Sequence, residues 1–299
     1  MTPDNATAAN LPTWNLADLY AGPDAPEVER DLQDAAAKAA EFHRQYEGKL
    51  ASLSGAEFLG AIQAYEKISE ILGRVGSYAQ LLYSGDMSNV EYGRFQQNIN
   101  ERSTEISLQT LFFSLEINKL EDADIAAKLK HAPLQRYQPW LDAVRSFRPH
   151  QLSDEIEKLL HEKDVVGRQA WMRLFDETMA ELRFEVGGKK LTSNEALNLM
   201  YEQDGAKRKE AAEGLTKGFK DNQRIFALVT NTLAKEKEID DKWRKFQRPV
   251  SSRNLANQVE DDVVDALVSA VKASYPKLSH RYYKLKAKWL GLPKLNFWD

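Results

Sequence analysis

A long stretch without proline, Asp204 to Phe246, carries the clearest helical pattern in the chain. Asp204 is a good N-cap residue and Pro249 cannot lie inside a helix, so we expect one helix between them. From Ile225 onward, side chains that line one helix face recur at alternating steps of four and three residues. They are Ile225, Val229, Thr232, Glu236, Ile239, Trp243 and Phe246.

One acid, Glu236, interrupts this apolar face. A buried acid is costly unless it is paired, so Glu236 turns outward, meets a cation or lines a wet cavity. The outward orientation is favoured, because glutamate is almost never fully buried without a partner.

The same period predicts helices along most of the chain. In Glu27 to Glu47 the apolar positions recur at steps of three and four, and Pro26 fits the first turn of that helix. Three helix starts match the capping box, in which two side chains satisfy amides of the first turn; they are Ser54–Glu57, Ser88–Glu91 and Thr192–Glu195. Further helices are predicted at 153–179 with a break near Gly167, at 260–274, and at 277–290 before Gly291.

Only one place favours β-structure. Residues 182–186 and 189–191 are short extended runs joined by Gly187-Gly188, which predicts a hairpin at 182–191. The fold class is therefore mainly α: a multi-helical N-terminal domain with one small hairpin, followed by further helices. We expect an arm at 1–25, with disorder in 1–13 and docking by Trp14 to Tyr20. A helical domain at 26–190 and a second domain at 203–299 follow, divided somewhere in 190–205.

Composition narrows the class of protein. Charged residues make up 29% and hydrophobic residues 42% of the 299 residues, which is typical of a soluble globular protein. The net charge is −4 and no basic stripe or long apolar run stands out, so we expect neither a nucleic acid nor a membrane as partner. Residues 1–11 do not resemble a signal peptide, and the chain has no cysteine, which fits a cytoplasmic location.

Candidate chemistry is sparse. No two of the five histidines lie four residues apart, and His161-Glu162 is half of an H-E-x-x-H motif with Val165 in the second ligand position. His161 is therefore interpreted as a surface helix residue, and Gly187-Gly188 lacks phosphate-loop spacing. Four other stretches have structural interpretations: Ser251–Asn254 as a helix-linking loop, Lys207–Lys209 as a solvated face, and the pairs Tyr282-Tyr283 and Phe297-Trp298 as core or packing surface. We assign no catalytic, cofactor-binding or metal residue.

Several stretches in their joint order resemble oligoendopeptidase F, of the M3 family of zinc metallopeptidases. They are Leu11–Tyr20, His161–Leu191 with Arg168–Trp171 and Leu174–Thr178, Ser251–Val259 and Ser279–Ala287. The resemblance covers nearly the whole chain after residue 10, although none of these stretches is a catalytic motif.

The resemblance implies a largely helical cytosolic enzyme that cuts short peptides in a deep channel. It also implies a zincin-type catalytic domain in which the two histidines of H-E-x-x-H hold zinc and the glutamate activates water. This sequence stops at Asp299 without that motif, so it is expected to be the N-terminal part, inactive alone and without bound zinc.

Three hypotheses remain open at this point. The chain is an incomplete oligoendopeptidase, a helical module that binds peptides or a partner without cutting them, or one half of a split peptidase. In the first case apolar faces between 206 and 298 lack their covering helices, and we expect self-association through these C-terminal helices.

Overall fold

The computed structural model describes residues 14–299, which are mainly helical with one two-stranded antiparallel hairpin, and this confirms the predicted fold class. The first seven helices are α1 (Pro26–Tyr46), α2 (Gly55–Gly85), α3 (Val90–Leu108), α4 (Leu111–Lys119), α5 (Asp122–Lys128), α6 (Gln138–Ser146) and α7 (Asp154–Lys163). After α8 (Arg168–Glu181) come the strands β1 (Phe184–Val186) and β2 (Lys189–Leu191). The remaining helices are α9 (Ser193–Asn198), α10 (Gly205–Asp221), α11 (Gln223–Arg244), α12 (Ser251–Ala256), α13 (Asp261–Ser274) and α14 (Ser279–Trp289). Short 3₁₀ helices lie at Leu50–Ser52, Ala132–Tyr137, Arg148–His150 and Leu199–Tyr201. The disorder expected for residues 1–13 falls outside the described residues.

The chain forms two compact units. Unit 1 contains the described residues up to Leu141 together with Ser153–Val165, and unit 2 contains Asp142–Leu152 and Val166–Asp299. The hairpin belongs to unit 2, because β1 packs on α10. The predicted domains at 26–190 and 203–299 therefore differ from these units and stay a prediction about domain boundaries.

The core of unit 1 is built by α1 and α2. The six positions that the spacing predicts for α1 are all buried: Val28, Leu32, Ala35, Ala39, Phe42 and Tyr46. The Phe42 ring contacts Phe113 edge-on, with centroids 5.1 Å apart, and Phe112 at 5.4 Å. Burial of such aromatic rings contributes strongly to stability. The face of α1 that carries the periodic apolar residues is therefore the face that packs into the core.

The predicted arm docks through Tyr20, the last residue of the docking stretch Trp14 to Tyr20. Tyr20 is buried, and its hydroxyl donates to Asp31 at 2.8 Å, while Trp14 is largely exposed. Arg74 donates to Tyr20 at 3.1 Å and to Asp31 at 2.6 Å. The acid and the phenol are therefore satisfied below the surface, as buried polar groups require.

Two of the three predicted capping boxes are confirmed, those of Ser54 and Thr192. The one at Ser88 is wrong, because Asn89 is the N-cap of α3 and its side chain accepts from the amides of Glu91 and Tyr92. Ser88 instead donates its hydroxyl to Asp86 at 2.6 Å. Asparagine is at least as good an N-cap as serine, and the N-cap of α3 lies one residue later than predicted.

In unit 2 the hairpin lies against α10. Gly187 and Gly188 have φ angles of 60° and 73°, which a two-residue turn of this kind requires. A Cβ on Gly214 would lie 2.6 Å from the carbonyl oxygen of Glu185, and one on Gly218 would lie 2.5 Å from the Phe184 ring. Two glycines four residues apart thus form the surface of α10 on which β1 packs.

The long helix predicted from Asp204 to Phe246 is two helices. Asp204 does cap α10, accepting from the amide of Ala206 at 2.8 Å. The helical path breaks at Asn222, which has a φ of −105° and a ψ of 9°, and α11 follows. The Asn222 side chain donates to the carbonyl of Gly218 at 2.9 Å, so a local side-chain bond competes with the helix.

Candidate functional site

Among residues 14–299, no three His, Asp or Glu side chains lie close enough together to hold a metal ion. His161 lies on α7, half-buried, and its Nε2 is 2.7 Å from the hydroxyl oxygen of Ser107. It is therefore a helix residue, as predicted, but one that joins α7 to α3 inside unit 1.

His150 supports the end of α11. Its Nδ1 lies 2.7 Å from the carbonyl oxygen of Arg244, and because a carbonyl only accepts, Nδ1 carries the proton. The imidazole ring stacks on Phe246 at 3.8 Å, and Arg244 donates back to the carbonyl of His150 at 3.3 Å. These contacts satisfy carbonyl groups at a helix terminus, which otherwise lack partners.

A polar cluster joins α11 to α12. The buried acid of α11 is Asp241 rather than Glu236, which keeps access to solvent. Lys237 pairs with Asp241 one turn away and also donates to the hydroxyl of Ser252 at 2.9 Å. The charge of Asp241 is thereby compensated, as a buried carboxylate requires.

The same cluster continues into α13, and it corrects the loop predicted at Ser251–Asn254, which is helix α12. Ser251 and Asn254 donate to Asp261 at 2.6 Å and 2.7 Å, and the bond from Ser251 and then that from Asn254 hold the pKa of Asp261 below its usual value. Arg248 binds Asp265 through two bonds of 2.8 Å. The polar residues interpreted as turn formers therefore fix the N-terminus of α13.

Arg208 corrects the prediction of a solvated basic face at 207–209. Lys207 and Lys209 are exposed, but the Arg208 side chain is only 10% exposed and pairs with Asp299, which is 3% exposed, at 2.9 Å. Its other bonds go to backbone carbonyl groups, those of Glu202, Gln203 and Trp298, at 2.9 to 3.0 Å. Arg208 thus ties the segment before α10 to residues 298–299.

Desolvation raises the pKa of the Asp299 carboxyl, but hydrogen bonds outweigh that effect and the pKa lies below its usual value. The bonds come from Asn296, whose amide donates at 2.8 Å, and from Arg208. The carboxylate is therefore held in its charged form.

Unit 2 also carries apolar side chains that remain exposed. Ile239 and Trp243 of the predicted α11 face are exposed, while Val229 is buried. α13 has no buried residue, and α14 has one, Ala287. Neither Tyr282-Tyr283 nor Phe297 packs into a core within the described residues, and the exposed apolar side chains of α13 are Val263, Leu267, Val268 and Val271.

A polar cleft of about 230 Å³ lies where the hairpin meets α10. Arg183, Lys190 and Lys217 line it together with Glu185 and Asp221, and Lys217 pairs with Asp221 at 3.1 Å. Charges of both signs are present, but no histidine, serine or threonine lines the cleft. A hydroxyl nucleophile beside a histidine base is therefore not among the residues that line this cleft.

Comparisons with known proteins point in one direction. The family model described as Oligopeptidase F matches residues 116–184. The chain is 24% identical to Oligopeptidase PepF of Bacillus subtilis over 99% of this chain and 45% of that protein, and 26% identical to Group B oligopeptidase PepB of Streptococcus agalactiae over 78% and 40%. The crystal structure of oligoendopeptidase-F from Enterococcus faecium matches with a TM-score of 0.78 and 23% identity, over 91% of this chain and 55% of that chain. The chain thus spans about half the length of the relatives that it matches.

Proposed function

Since the chain is an oligoendopeptidase F-like protein of the M3 family, we propose that it is the N-terminal part of a zinc metallo-oligoendopeptidase that hydrolyses short peptides. The observation that carries this proposal is the match along 99% of the chain to less than half of Oligopeptidase PepF. The peptide substrates and a cytoplasmic location belong to the same proposal. Within residues 14–299, every helix is too short or too polar to span a lipid bilayer.

The residues of this chain do not fit the zinc that the family uses. The sequence has no histidine pair at a spacing of four, and His161, the half-motif, is bound to Ser107. Bound zinc would lower the pKa of water and so create the nucleophile. We derive no hydrolytic step within this chain, and propose that the chain alone is inactive and binds no stoichiometric zinc.

The exposed helices of unit 2 support a second candidate, in which the chain acts by binding. A helical module that holds a partner, or one half of a split peptidase, would present uncovered faces such as that of α13. Self-association through the exposed C-terminal helices stays a prediction under either candidate, because contiguous apolar surface on a soluble protein favours association.

The test uses the purified chain, a quenched fluorescent peptide and elemental analysis for zinc. We expect no hydrolysis, with or without added zinc, and less than one equivalent of bound metal. The matched control is His161→Ala, which leaves that result unchanged. Hydrolysis that a chelator abolishes and that survives repurification would contradict the proposed inactivity, and its loss in His161→Ala would place the metal at His161.

A second measurement separates the candidates. The coding sequence after codon 299 is read, and an in-frame continuation that encodes H-E-x-x-H supports the incomplete oligoendopeptidase. A stop codon there, together with a second open reading frame that encodes the motif, supports the split enzyme. A stop codon without any such partner frame favours the binding module.

A further inference from the structure

Helix α14 carries an apolar seam that faces solvent. Leu278, which precedes the helix, and then Tyr282, Leu285 and Trp289 follow one another at steps of four, three and four residues. They are 66%, 50%, 41% and 67% exposed. These steps place Leu278 and Leu285 at d positions and Tyr282 and Trp289 at a positions of a heptad.

The seam lies on the opposite side of α14 from Ala287, the buried residue of this helix. Ala287 occupies the f position of the same heptad, on the far side of the helix from a and d. The contact of α14 with the rest of unit 2 therefore leaves the whole a/d seam free for a second helix. Four large side chains at this spacing form the knobs that a facing helix accommodates between its own side chains.

Charge selects the partner. Of the e and g positions that flank the seam, Ser279 is neutral, and Arg281, Lys286 and Lys288 are basic. Residues 277–298 contain no Asp or Glu, although the net charge of the chain is −4; their six cations are Lys277, Arg281, Lys284, Lys286, Lys288 and Lys294. No ion pair joins any of the six to another residue in the described range 14–299.

From this geometry we propose that α14 is a docking surface for an amphipathic helix whose apolar stripe is flanked by Asp and Glu. Such a helix pairs its acidic e and g residues with Arg281, Lys286 and Lys288 while its stripe covers Trp289. A second α14 is a poor occupant, because basic e and g positions would face basic e and g positions. This docking proposal does not depend on peptidase activity, so the outcome of the hydrolysis assay neither supports nor contradicts it.

The test measures binding of a labelled synthetic peptide of about four heptads, with Leu at a and d and Glu at e and g. Its counterpart has Lys at e and g. We expect the acidic peptide to bind the full chain, measured by fluorescence anisotropy, and the basic peptide to bind at least about tenfold more weakly. Added salt weakens the binding, since ion pairs at an open interface are screened.

Charge reversal makes the test specific. The double substitution Lys286→Glu and Lys288→Glu is expected to weaken binding of the acidic peptide at least about tenfold. The same variant is expected to bind the basic peptide. The matched control is Lys189→Glu with Lys190→Glu, an equal change on the exposed strand β2 of the same unit, which leaves the binding of the acidic peptide unchanged. Circular dichroism checks that both variants are folded.

Several outcomes would overturn the proposal. One is equal binding of both peptides, which indicates apolar adhesion without charge selection. Another is binding of anionic vesicles or duplex DNA that the α14 reversal removes, while the acidic peptide does not bind at all. A homodimer that the same reversal dissociates is a third, because the seam would then have a copy of itself as its occupant.

Discussion

Arg208 and Asp299 form a buried ion pair between residues 91 positions apart in the chain. An arginine between two exposed lysines carries no local signal of burial, since its partner lies at the other end of unit 2. Asp241 differs in this respect, because its charged partner Lys237 lies one turn away on the same helix. Lys237 in turn donates to Ser252 of α12. The spacing of apolar residues predicted the apolar face of α1, whereas the burial of Arg208 depends on a partner that is distant in the sequence.

The acid range tests this ion pair. The pKa of Asp299 in the folded chain lies below its ordinary 3.8, so its contribution to stability is complete above pH 3.8. That contribution is lost as the pH falls through the folded-state pKa, because the unfolded carboxyl already binds its proton at higher pH. We expect a midpoint below 3.8 for the side-chain carboxyl of Asp299 in an NMR titration, with Asp299→Asn to assign the signal.

The comparison variant for that titration is Arg208→Gln, which removes the positive charge and keeps an amide donor. Its Asp299 midpoint is expected to rise relative to the parent chain, because one of the interactions that favour the carboxylate is gone. An Asp299 midpoint at or above 3.8 in the parent chain, or no change in Arg208→Gln, would contradict the assigned role of the pair.

Helices and the hairpin follow closely from local pattern, and the departures also have local causes. The break at Asn222 arises from a side-chain bond to the Gly218 carbonyl, which periodicity cannot register. Residues 251–256 form helix α12 although serine and asparagine favour turns, because Asp261 binds Ser251 and Asn254. The docking of the hairpin was not predicted, although Gly214 and Gly218 four residues apart were a signal that could have indicated a close approach.

Two glycine substitutions test this docking. Gly214→Ala is expected to destabilise the packing of β1 on α10 by about 1–3 kcal/mol, because the added Cβ meets a backbone carbonyl that cannot turn away. Gly73→Ala is the matched control: Gly73 also lies inside a helix, α2, and nothing lies within 4 Å of an added Cβ. It is expected to stabilise its unit by up to about 1 kcal/mol, as alanine does in helix interiors.

Hydrogen exchange of the hairpin amides measures the first effect, and exchange along α2 measures the second. Faster exchange at Val186 and Lys189 in Gly214→Ala, with α2 unchanged, is the expected pattern. If both substitutions slow exchange to a similar degree, α10 tolerates a side chain at 214 and the close approach does not determine docking.

At the scale of the whole molecule, the apolar spacing predicted a mainly helical fold, and the order of several stretches gave the resemblance to oligoendopeptidase F. The distribution of burial came only from the structure. α2 buries nine residues, and α13 buries none although its apolar residues recur with helical spacing. Periodicity predicts which face of a helix is apolar, but it does not state whether anything covers that face. The catalytic site could not be predicted from this sequence because the motif that would carry it is not among these residues.

The uneven burial leads to the last prediction. Amides in α13 and α14 are expected to exchange faster than those in α2, because few buried apolar contacts oppose local opening of these helices. Limited proteolysis should accordingly cut within 257–299 before it cuts α1 or α2. The internal control is α10, which lies in the same unit but buries five residues, so it should exchange slowly.

Strong and uniform protection from 261 to 289 in a monodisperse monomer would show that these helices are stable without a covering partner. That result would favour a complete binding module over a chain whose helices await the rest of an oligoendopeptidase.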